Sequence, residues 1–385
     1  MTNSAPVEVK RKDDSDKSGL TTTEGKSRQR SWIFVGVFII AALVVASVLF
    51  LPRGSFREEP QQPATSQSAE VRPTPDLRAR KLLGTPPSGG QWFSGAWAGG
   101  DHASTKRVVA FGSWRDTPTD AATVYTEIGT WQAIYDSNWH ITTFKGFDGI
   151  LSFGVPILPE EARGDFSAVV QGKHDRIYKD LARDLIKNHR GRSMVRIGWE
   201  ANGDWFPWNA QASDAEAYVA AYRHIVGVLR TVAPDLVIDF DLACGTPLRG
   251  QSDRLDALNL LYPGDDVVDV VGCDFFDWYT TAASDEASWL RSLKPDAAVG
   301  IQDVAEFARA HGKGLTYPEW GLASQEEGGM GDNPFFMEKV RSFFQANADA
   351  LVLEGYFSEP NTSLANSIWD PAQMPNSAEV YARLW

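Results

Sequence analysis

Apolar residues fall into short continuous runs from residue 90 onward, separated by segments with the 3.6-residue period of helices. The runs occupy residues 92–97, 108–114, 150–158, 193–200, 236–243, 267–276, 314–320 and 351–358. Continuous apolar runs are typical of parallel strands that are buried on both faces. Eight repeats of strand and helix predict a (β/α)8 barrel, or TIM barrel. A doubly wound sheet is the rival fold, but no Gly-x-Gly-x-x-Gly turn follows the first run.

Three of the intervening segments carry clear helical signals. Residues 174–189 and 301–313 have apolar positions at helical spacing, and the second segment stops at Gly312, a residue type that commonly ends helices. Ser213 and Glu216 have the Ser-x-x-Glu spacing of a capping box ahead of a third apolar stripe. These segments predict helices between the strands.

The N-terminal residues differ in composition from the rest of the chain. Residues 1–31 are polar and basic with no apolar period, which predicts a disordered tail. Residues 32–51 form a stretch of twenty residues without charge or proline, which is long enough to cross a bilayer as a helix. A cleaved signal peptide would have a shorter apolar run and a small-residue cleavage site. Residues 52–88 are rich in proline and polar residues, which predicts a linker.

The distribution of basic residues predicts an orientation. They crowd the N-terminal side of residues 32–51, so the positive-inside rule places residues 1–31 in the cytoplasm. We therefore expect a single-pass protein of the cell membrane, with a monomeric folded domain at residues 89–385 on the extracytoplasmic side. A buried core helix is a poor alternative for residues 32–51, because the flanking segments are not amphipathic.

The net charge limits the classes of partner. The formal charge is −13 and the pI is about 5.0, so a surface for nucleic acid or anionic lipid is not expected. The 14 tryptophans are numerous, and their rings either stack on the flat faces of sugars or fill a large core.

Cys244 and Cys273 end two neighbouring predicted strands, within reach of a disulfide. An extracytoplasmic setting permits the bridge, but two thiols do not make a disulfide scaffold for so large a domain. Buried thiols are the favoured interpretation, and the bridge is the alternative.

Acidic residues end several of the predicted strands, where the reacting groups of such barrels lie. Glu200 ends the fourth run and Glu319 the seventh, and each has a tryptophan beside it, Trp199 and Trp320. A lone acid at a strand end is commonly only a hydrated surface residue. Two facing glutamates among indole rings, however, are the arrangement that glycoside hydrolysis requires.

The segments RIGWEANGDWFPW (196–208) and LTYPEWGL (315–322) resemble the acid/base and nucleophile strands of family 26 of the glycoside hydrolases. The likeness extends to QGKHDRIY (171–178), to residues 262–278 and to residues 328–336. The resemblance implies that Glu200 is the general acid/base, that Glu319 is the nucleophile and that the substrate is a polysaccharide of the β-mannan type. The predicted substrate-binding residues are Trp199, Asn202, Trp205, Trp208, Asp274, Tyr279 and Trp320.

Two positions depart from the pattern of that family's mannanases. Those enzymes have His directly before the acid/base, where this chain has Trp199. They also have a Tyr at the end of the sixth strand that hydrogen-bonds the nucleophile, where this chain has Phe276, with Tyr279 as a candidate substitute. The catalytic pair is retained, but the preference for β-mannan is in question because the replaced polar groups lie beside the sugar at the cleavage point.

Other functional classes explain the sequence less well. A barrel that binds polysaccharide without cleaving it, in handling of the envelope or exopolysaccharide, would not need both glutamates. The six histidines show no His-x-His or His-Glu-x-x-His spacing, and no Gly-x-Ser-x-Gly motif is present, so neither a metal-dependent nor a serine hydrolase is expected. No cofactor or metal is predicted. A retaining mechanism predicts carboxyl groups about 5–5.5 Å apart, with a raised pKa for the acid/base.

Overall fold

The computed structural model describes residues 77–98, 104–136, 138–251, 253–360 and 364–385. Eight parallel strands, each paired with its neighbours in chain order, form a closed barrel, which confirms the predicted TIM fold. The strands are β1 (Phe93–Trp97), β2 (Ala121–Tyr125), β3 (Ile150–Val155), β4 (Met194–Ile197), β5 (Val237–Ala243), β6 (Val270–Phe276), β7 (Gly314–Gly321) and β8 (Leu351–Phe357).

Helices lie before the first strand, between the strands and after the last strand. They are α1 (Arg78–Leu83), α2 (Thr105–Trp114), α3 (Trp131–Tyr135), α4 (Asn138–Thr142), α5 (Ser167–Val170), α6 (Asp175–Lys187), α7 (Ala215–Arg230), α8 (Asp256–Leu261), α9 (Glu286–Leu293), α10 (Ile301–Ala310), α11 (Pro334–Ala346) and α12 (Pro375–Leu384). The predicted helices at 174–189 and 301–313 are confirmed as α6 and α10, and Gly312 has the left-handed φ of +64° that follows a helix end.

Two local predictions are wrong. The run at 108–114 lies in helix α2, where Val108 and Phe111 are buried three residues apart while Val109 is exposed. A seven-residue apolar run does not distinguish a strand from a helix, and the second strand is the less hydrophobic β2. The capping box is also absent, because α7 follows Asp214 and no side chain caps its first turn.

The N-terminal end of the barrel is closed by helix α1, so the predicted linker at 52–88 extends too far. Residues 77–83 belong to the folded domain: Leu77, Ala79 and Leu83 are buried against the bottom layer of the barrel. That layer consists of Phe93, Ala121, Met194, Val237, Val270, Val352 and Leu353. Arg78 also forms an ion pair with Asp269 at 2.7 Å.

The predicted tail at 1–31 and the predicted span at 32–51 lie outside the described residues. Within the described ranges, no helix has both the length and the hydrophobicity needed to cross a bilayer.

The prediction of two free thiols is wrong, because Cys244 and Cys273 form a disulfide. The sulfur atoms are 2.11 Å apart and the Cα atoms 5.6 Å apart. Adjacent strands bring the two residues together: β5 and β6 pair in register, and Cys244 N donates to Asp274 O at 2.9 Å. The bridge therefore joins the residue directly after β5 to the middle of β6.

Candidate active site

The carboxyl end of the barrel contains a fully buried arginine surrounded by acids. Arg196 lies on β4, and its Nε donates to Oδ2 of Asp241 at 2.7 Å. Its Nη1 donates to Oε1 of Glu319 at 2.5 Å, and its Nη2 pairs with Asp274. A buried guanidinium is tolerated only when its charge and its N–H groups are matched, which these three carboxylates achieve. Arg196 thus fixes one oxygen of Glu319.

Glu319 points into the barrel because β7 departs from regular strand geometry. The pairing of β7 with β8 shifts register between Tyr317 and Trp320. The rings of Tyr317 and Trp320 both contact Phe344 of α11, at centroid distances of 5.4 and 5.6 Å. In a regular strand, residues three apart would face opposite sides. This irregularity resets the alternation, so that Glu319, between the two outward rings, reaches Arg196 inside.

Glu200 follows β4 in a strained turn. Gly198 and Glu200 have φ values of +53° and +54°, in the left-handed region that costs a non-glycine residue about 1 kcal/mol or more. Backbone bonds hold the turn: Glu200 N donates to Asp241 O at 2.9 Å, and Gly203 N donates to Glu200 O at 2.9 Å. The strain places the Glu200 side chain at the barrel mouth.

Trp205 contacts the Glu200 carboxylate directly. Its indole Nε1 donates to Oε2 of Glu200 at 2.6 Å. The ring lies over Gly203, where a Cβ atom would come within about 2.4 Å of it, and 43% of the residue is exposed. Trp205 therefore has the partial exposure that the sequence predicts for a cleft residue, and its contact with a sugar stays a prediction.

The electrostatic environment raises the pKa of Glu200 to about 8, as predicted for an acid/base. Burial is the largest cause, because it penalises the charged form, and the negative charge of Glu319 adds to it. The Trp205 hydrogen bond opposes the shift. Glu200 is thus a carboxylic acid at neutral pH and interacts electrostatically with Glu319.

Further buried carboxyl groups surround the pair. Burial raises the pKa of Asp241 to about 6 despite Arg196, and it raises the pKa of Asp274 well above its usual range. Burial also raises the pKa of Asp239 well above its usual range. The two carboxyl oxygens of Asp239 accept from Thr316 Oγ1 at 3.0 and 3.1 Å. A single arginine does not neutralise so many acids, so protonation lowers the charge in the barrel interior.

Three of the predicted sugar-stacking tryptophans are buried instead. Trp320 is fully buried because a strand neighbour of an inward carboxylate points outward, and its Nε1 donates to Oε2 of Glu354 at 2.7 Å. Trp208 is fully buried against Trp199, with ring centroids 4.6 Å apart, and it donates to the Trp199 carbonyl at 2.7 Å. Trp199 itself is only 3% exposed. The predicted substrate role of Trp208 and Trp320 is therefore wrong. Trp199 packs between the rings of Tyr125 and Trp208.

Three of the predicted polar contacts to the sugar also have other roles. Asn202 is buried and joins the turn after β4 to the end of β5, since its Oδ1 accepts from Ala243 N and its Nδ2 donates to Ala243 O, both at 2.8 Å. Asp274 is buried beside Arg196. Tyr279 is 69% exposed and contacts Trp278 at 5.3 Å, with no described hydrogen bond to Glu319, so the predicted substitute for the missing tyrosine is wrong.

Two residues of the site escaped the sequence prediction. Arg196 carried a signal, because it is the one charged residue inside an otherwise apolar strand. Tyr125 ends β2, a strand that the apolar runs did not identify. Its ring lies 5.4 Å from that of Trp199 and 5.5 Å from that of Trp97.

The geometry provides a protonated acid, an ion-paired carboxylate and an exposed indole within one mouth. This combination serves acid-assisted nucleophilic displacement. In the described ranges, no group of three or more histidine, cysteine or acidic side chains is arranged to hold a metal ion.

Comparison with known proteins identifies a matching family and several relatives. The model of glycosyl hydrolase family 26 matches residues 117–323. A mannan endo-1,4-β-mannosidase from Bifidobacterium adolescentis is 32% identical over 155 residues, which are 40% of this chain and 14% of that protein. Endoglucanase H from Acetivibrio thermocellus is 33% identical over 118 residues, which are 29% of this chain and 12% of that protein. The chain thus matches only a small part of these relatives.

Solved structures share the barrel. The catalytic domain of a family 26 endo-β-1,4-mannanase from Bacillus sp. JAMB-750 superposes with a TM-score of 0.54 at 20% identity, over 80% of this chain and 90% of that one. A family 26 β-mannanase from Bacteroides ovatus gives 0.51 at 13% identity, with the same coverage. At these identities the likeness shows the fold.

Proposed function

The chain belongs to glycosyl hydrolase family 26, and from that premise we propose that it is a retaining β-mannanase-like glycoside hydrolase. The observation that carries the proposal is the unequal environment of Glu200 and Glu319. One is a carboxylic acid with a pKa of about 8, and the other is a carboxylate paired with Arg196. Glycoside hydrolysis needs one acid and one carboxylate.

In the first proposed step, a Glu319 oxygen attacks the anomeric carbon and the bond to the leaving oxygen breaks. Glu200 donates its proton to that oxygen, so the departing sugar leaves as an alcohol. The products are a glycosyl ester of Glu319 and an ionised Glu200. A carboxyl separation of about 5–5.5 Å, which this mechanism requires, stays a prediction.

In the second step, Glu200 accepts a proton from water, whose oxygen attacks the anomeric carbon and releases Glu319. The electrostatic coupling supports this change of role. Because the negative charge of Glu319 raises the pKa of Glu200, esterification of Glu319 removes that effect and lowers the pKa. Glu200 thus becomes a better-ionised base in the step where a base is needed.

The proposed substrate is a β-1,4-linked mannan, which the enzyme cleaves at internal bonds of the polysaccharide. The names of the relatives support this choice, since one is an endo-1,4-β-mannosidase and another is an endoglucanase. Trp199 stands where the family's mannanases have His, so a related β-1,4-glycan is the second candidate.

The proposed location is the outer side of the cell membrane, with residues 32–51 as the anchor. The uncharged stretch and the basic residues before it support the orientation. The Cys244–Cys273 disulfide supports an oxidising compartment. At the membrane, the enzyme is placed to act on glycans that are assembled or exported there.

The test is incubation of the full-length chain with soluble β-1,4-mannan and β-1,4-glucan, followed by ¹H NMR of the first-formed reducing end. We expect chain cleavage with the β-anomer formed first, and no cleavage by Glu319→Gln. Formation of the α-anomer first would exclude the retaining mechanism. Binding of mannan without cleavage by the unmodified chain would favour a polysaccharide-binding barrel instead.

A further inference from the structure

Tyr125 has a buried hydroxyl that makes no hydrogen bond within the described part of the chain. Such groups are rare in folded proteins, because leaving a buried donor unpaired costs about 1–3 kcal/mol. We infer that Tyr125 is a positioning residue, whose hydroxyl donates to Glu319 when the enzyme works. The inference deepens the proposed function and rests on it.

The barrel register brings Tyr125 towards the arginine that pairs with Glu319. Tyr125 of β2 is opposite Gly154 of β3, and Gly154 is opposite Arg196 of β4. Residues in register on parallel strands project to the same side, so Tyr125 and Arg196 both face the barrel interior. Gly154, which lies between them in register, has no side chain.

The Tyr125 ring fills the space that Gly154 leaves. A Cβ atom on Gly154 would lie 2.8 Å from Cδ1 of Tyr125 and 3.1 Å from Cζ3 of Trp199. Trp199 and Trp97 contact the Tyr125 ring, which fixes the direction of the hydroxyl. The aromatic contacts therefore hold the ring, and the hydroxyl is free to serve another group.

Glu319 has an oxygen available for this donor. Its Oε1 accepts from Arg196 Nη1, which leaves Oε2 for a second donor, and the Tyr125 hydroxyl lies close enough to this carboxylate to interact with it. Among the charged groups, Glu319 has the largest effect on the Tyr125 hydroxyl, followed by Arg196 and Asp274. Burial and this negative charge raise the pKa of Tyr125 well above its usual range, so the hydroxyl stays a neutral donor.

Neither the end of the sixth strand nor Tyr279 offers a hydroxyl with this placement. The sixth strand ends in Phe276, which has no hydroxyl, and Tyr279 is largely exposed. Thr123, also on β2, donates to the Pro318 carbonyl at 3.2 Å. Two residues of β2 thus support the nucleophile: Thr123 donates to the backbone before Glu319, and Tyr125 serves its carboxylate.

The first test is Tyr125→Phe in the full-length chain, which removes the hydroxyl and keeps the ring. We expect kcat/KM on β-1,4-mannan to fall about 10- to 100-fold, as for loss of a hydrogen bond to a charged group. We expect KM to change little. The acidic limb of the pH profile should move to higher pH, because the Glu319 carboxylate loses a hydrogen-bond donor.

Other groups around Glu319 are unchanged in this variant, namely Arg196, Glu200, Asp241 and Asp274. The alkaline limb, set by Glu200, should therefore stay in place. The matched control is Tyr178→Phe, since the Tyr178 hydroxyl is also buried but donates to the Ile157 carbonyl at 3.0 Å, and it should leave both limbs unchanged. A merely structural role for Tyr125 would lower activity without moving the acidic limb.

A second measurement does not depend on turnover. The Glu319 carboxyl is titrated by ¹³C NMR in chains with labelled glutamate, with Glu319→Gln used to assign the signal. A higher Glu319 pKa in Tyr125→Phe than in the unmodified chain supports the inference, and equal values overturn it. Full activity with an unmoved acidic limb in Tyr125→Phe also overturns it. An inactive unmodified chain would contradict the proposed function alone.

Discussion

Met194 and Arg196 lie two residues apart on β4, and both side chains point into the barrel, but their surroundings are opposite in character. Met194 is fully buried in the apolar bottom layer that α1 covers. Arg196 is equally buried, among the carboxylates of the mouth. A step of about 7 Å along one strand therefore separates a hydrophobic core from a buried ionic site.

The difference shows where the barrel is stabilised and where it is strained. The bottom layer buries apolar side chains against one another, which favours folding. The mouth contains buried acids with raised pKa values, a left-handed Glu200 and a shifted register in β7, each of which disfavours folding. We interpret the mouth as the functional end, supported by the bottom.

The largest effect is expected from Glu319→Gln, which keeps the shape of the side chain but removes the nucleophilic carboxylate. Loss of a nucleophile typically lowers kcat by roughly 10⁴-fold or more. Turnover of β-1,4-mannan should therefore become undetectable, while binding to immobilised mannan remains. Retention of more than a tenth of the activity would remove Glu319 from the mechanism.

Arg196→Met should affect both activity and stability, because it leaves Glu319, Asp241 and Asp274 without their shared cation. Breaking a buried ion pair from one side typically costs about 3–5 kcal/mol. We expect a loss of that size in the free energy of unfolding, together with a loss of turnover. Urea denaturation and mannan assays on the same sample measure the two effects. An active variant of unchanged stability would show that the ionic site is not needed.

Met194→Ala is the counterpart from the bottom layer. The cavity should lower the free energy of unfolding by about 2–5 kcal/mol, as for other large-to-small core changes. Because Met194 lies in the apolar bottom layer and not among the carboxylates of the mouth, kcat and KM of the folded protein should equal those of the unmodified chain. A change in kcat of more than about threefold would show that the two layers are coupled.

The effect expected to be smallest on activity at neutral pH concerns the pH dependence due to Glu200. Its pKa rises from 4.5 to about 8 on folding, so the folded state keeps a proton that the unfolded state releases. Stability should therefore fall as the pH rises from about 4.5 to 8, on the order of a few kcal/mol, and kcat/KM should fall above about pH 8. Glu200→Gln lacks this titration, so its loss of stability over the same range should be smaller. Equal pH dependence in both proteins would contradict the raised pKa.

The order of the elements and the two glutamates were predictable from the sequence, because buried parallel strands leave continuous apolar runs and the reacting groups follow them. The second strand was not predictable from the sequence, because Ala121–Tyr125 contains few large apolar residues. The orientation of Trp320 follows from the strand period once Glu319 is placed inside. Trp208 is different, because its burial depends on how the loop after β4 folds back on Trp199.

The contacts within the site could not be predicted from the sequence, because they form only when the barrel closes and brings distant strands together. Arg196 meets Glu319 across 123 positions of sequence, and Tyr125 meets the same site from another strand. No spacing motif records such a contact. The disulfide was not predicted for a related reason. Adjacent strands permit a bridge between Cys244 and Cys273, but the directions of the two side chains decide whether it forms.

The central claim, that Glu319 is the nucleophile of a retaining glycosidase, is tested most directly by trapping the glycosyl-enzyme. A 2-deoxy-2-fluoro mannosyl fluoride should form a slowly hydrolysed ester, because the fluorine destabilises the transition state for release. Mass spectrometry of the digested full-length chain should then find one fluoro-sugar on the peptide containing Glu319, and none in Glu319→Gln. A label on another residue, or turnover of mannan with no trapped ester, would contradict the account.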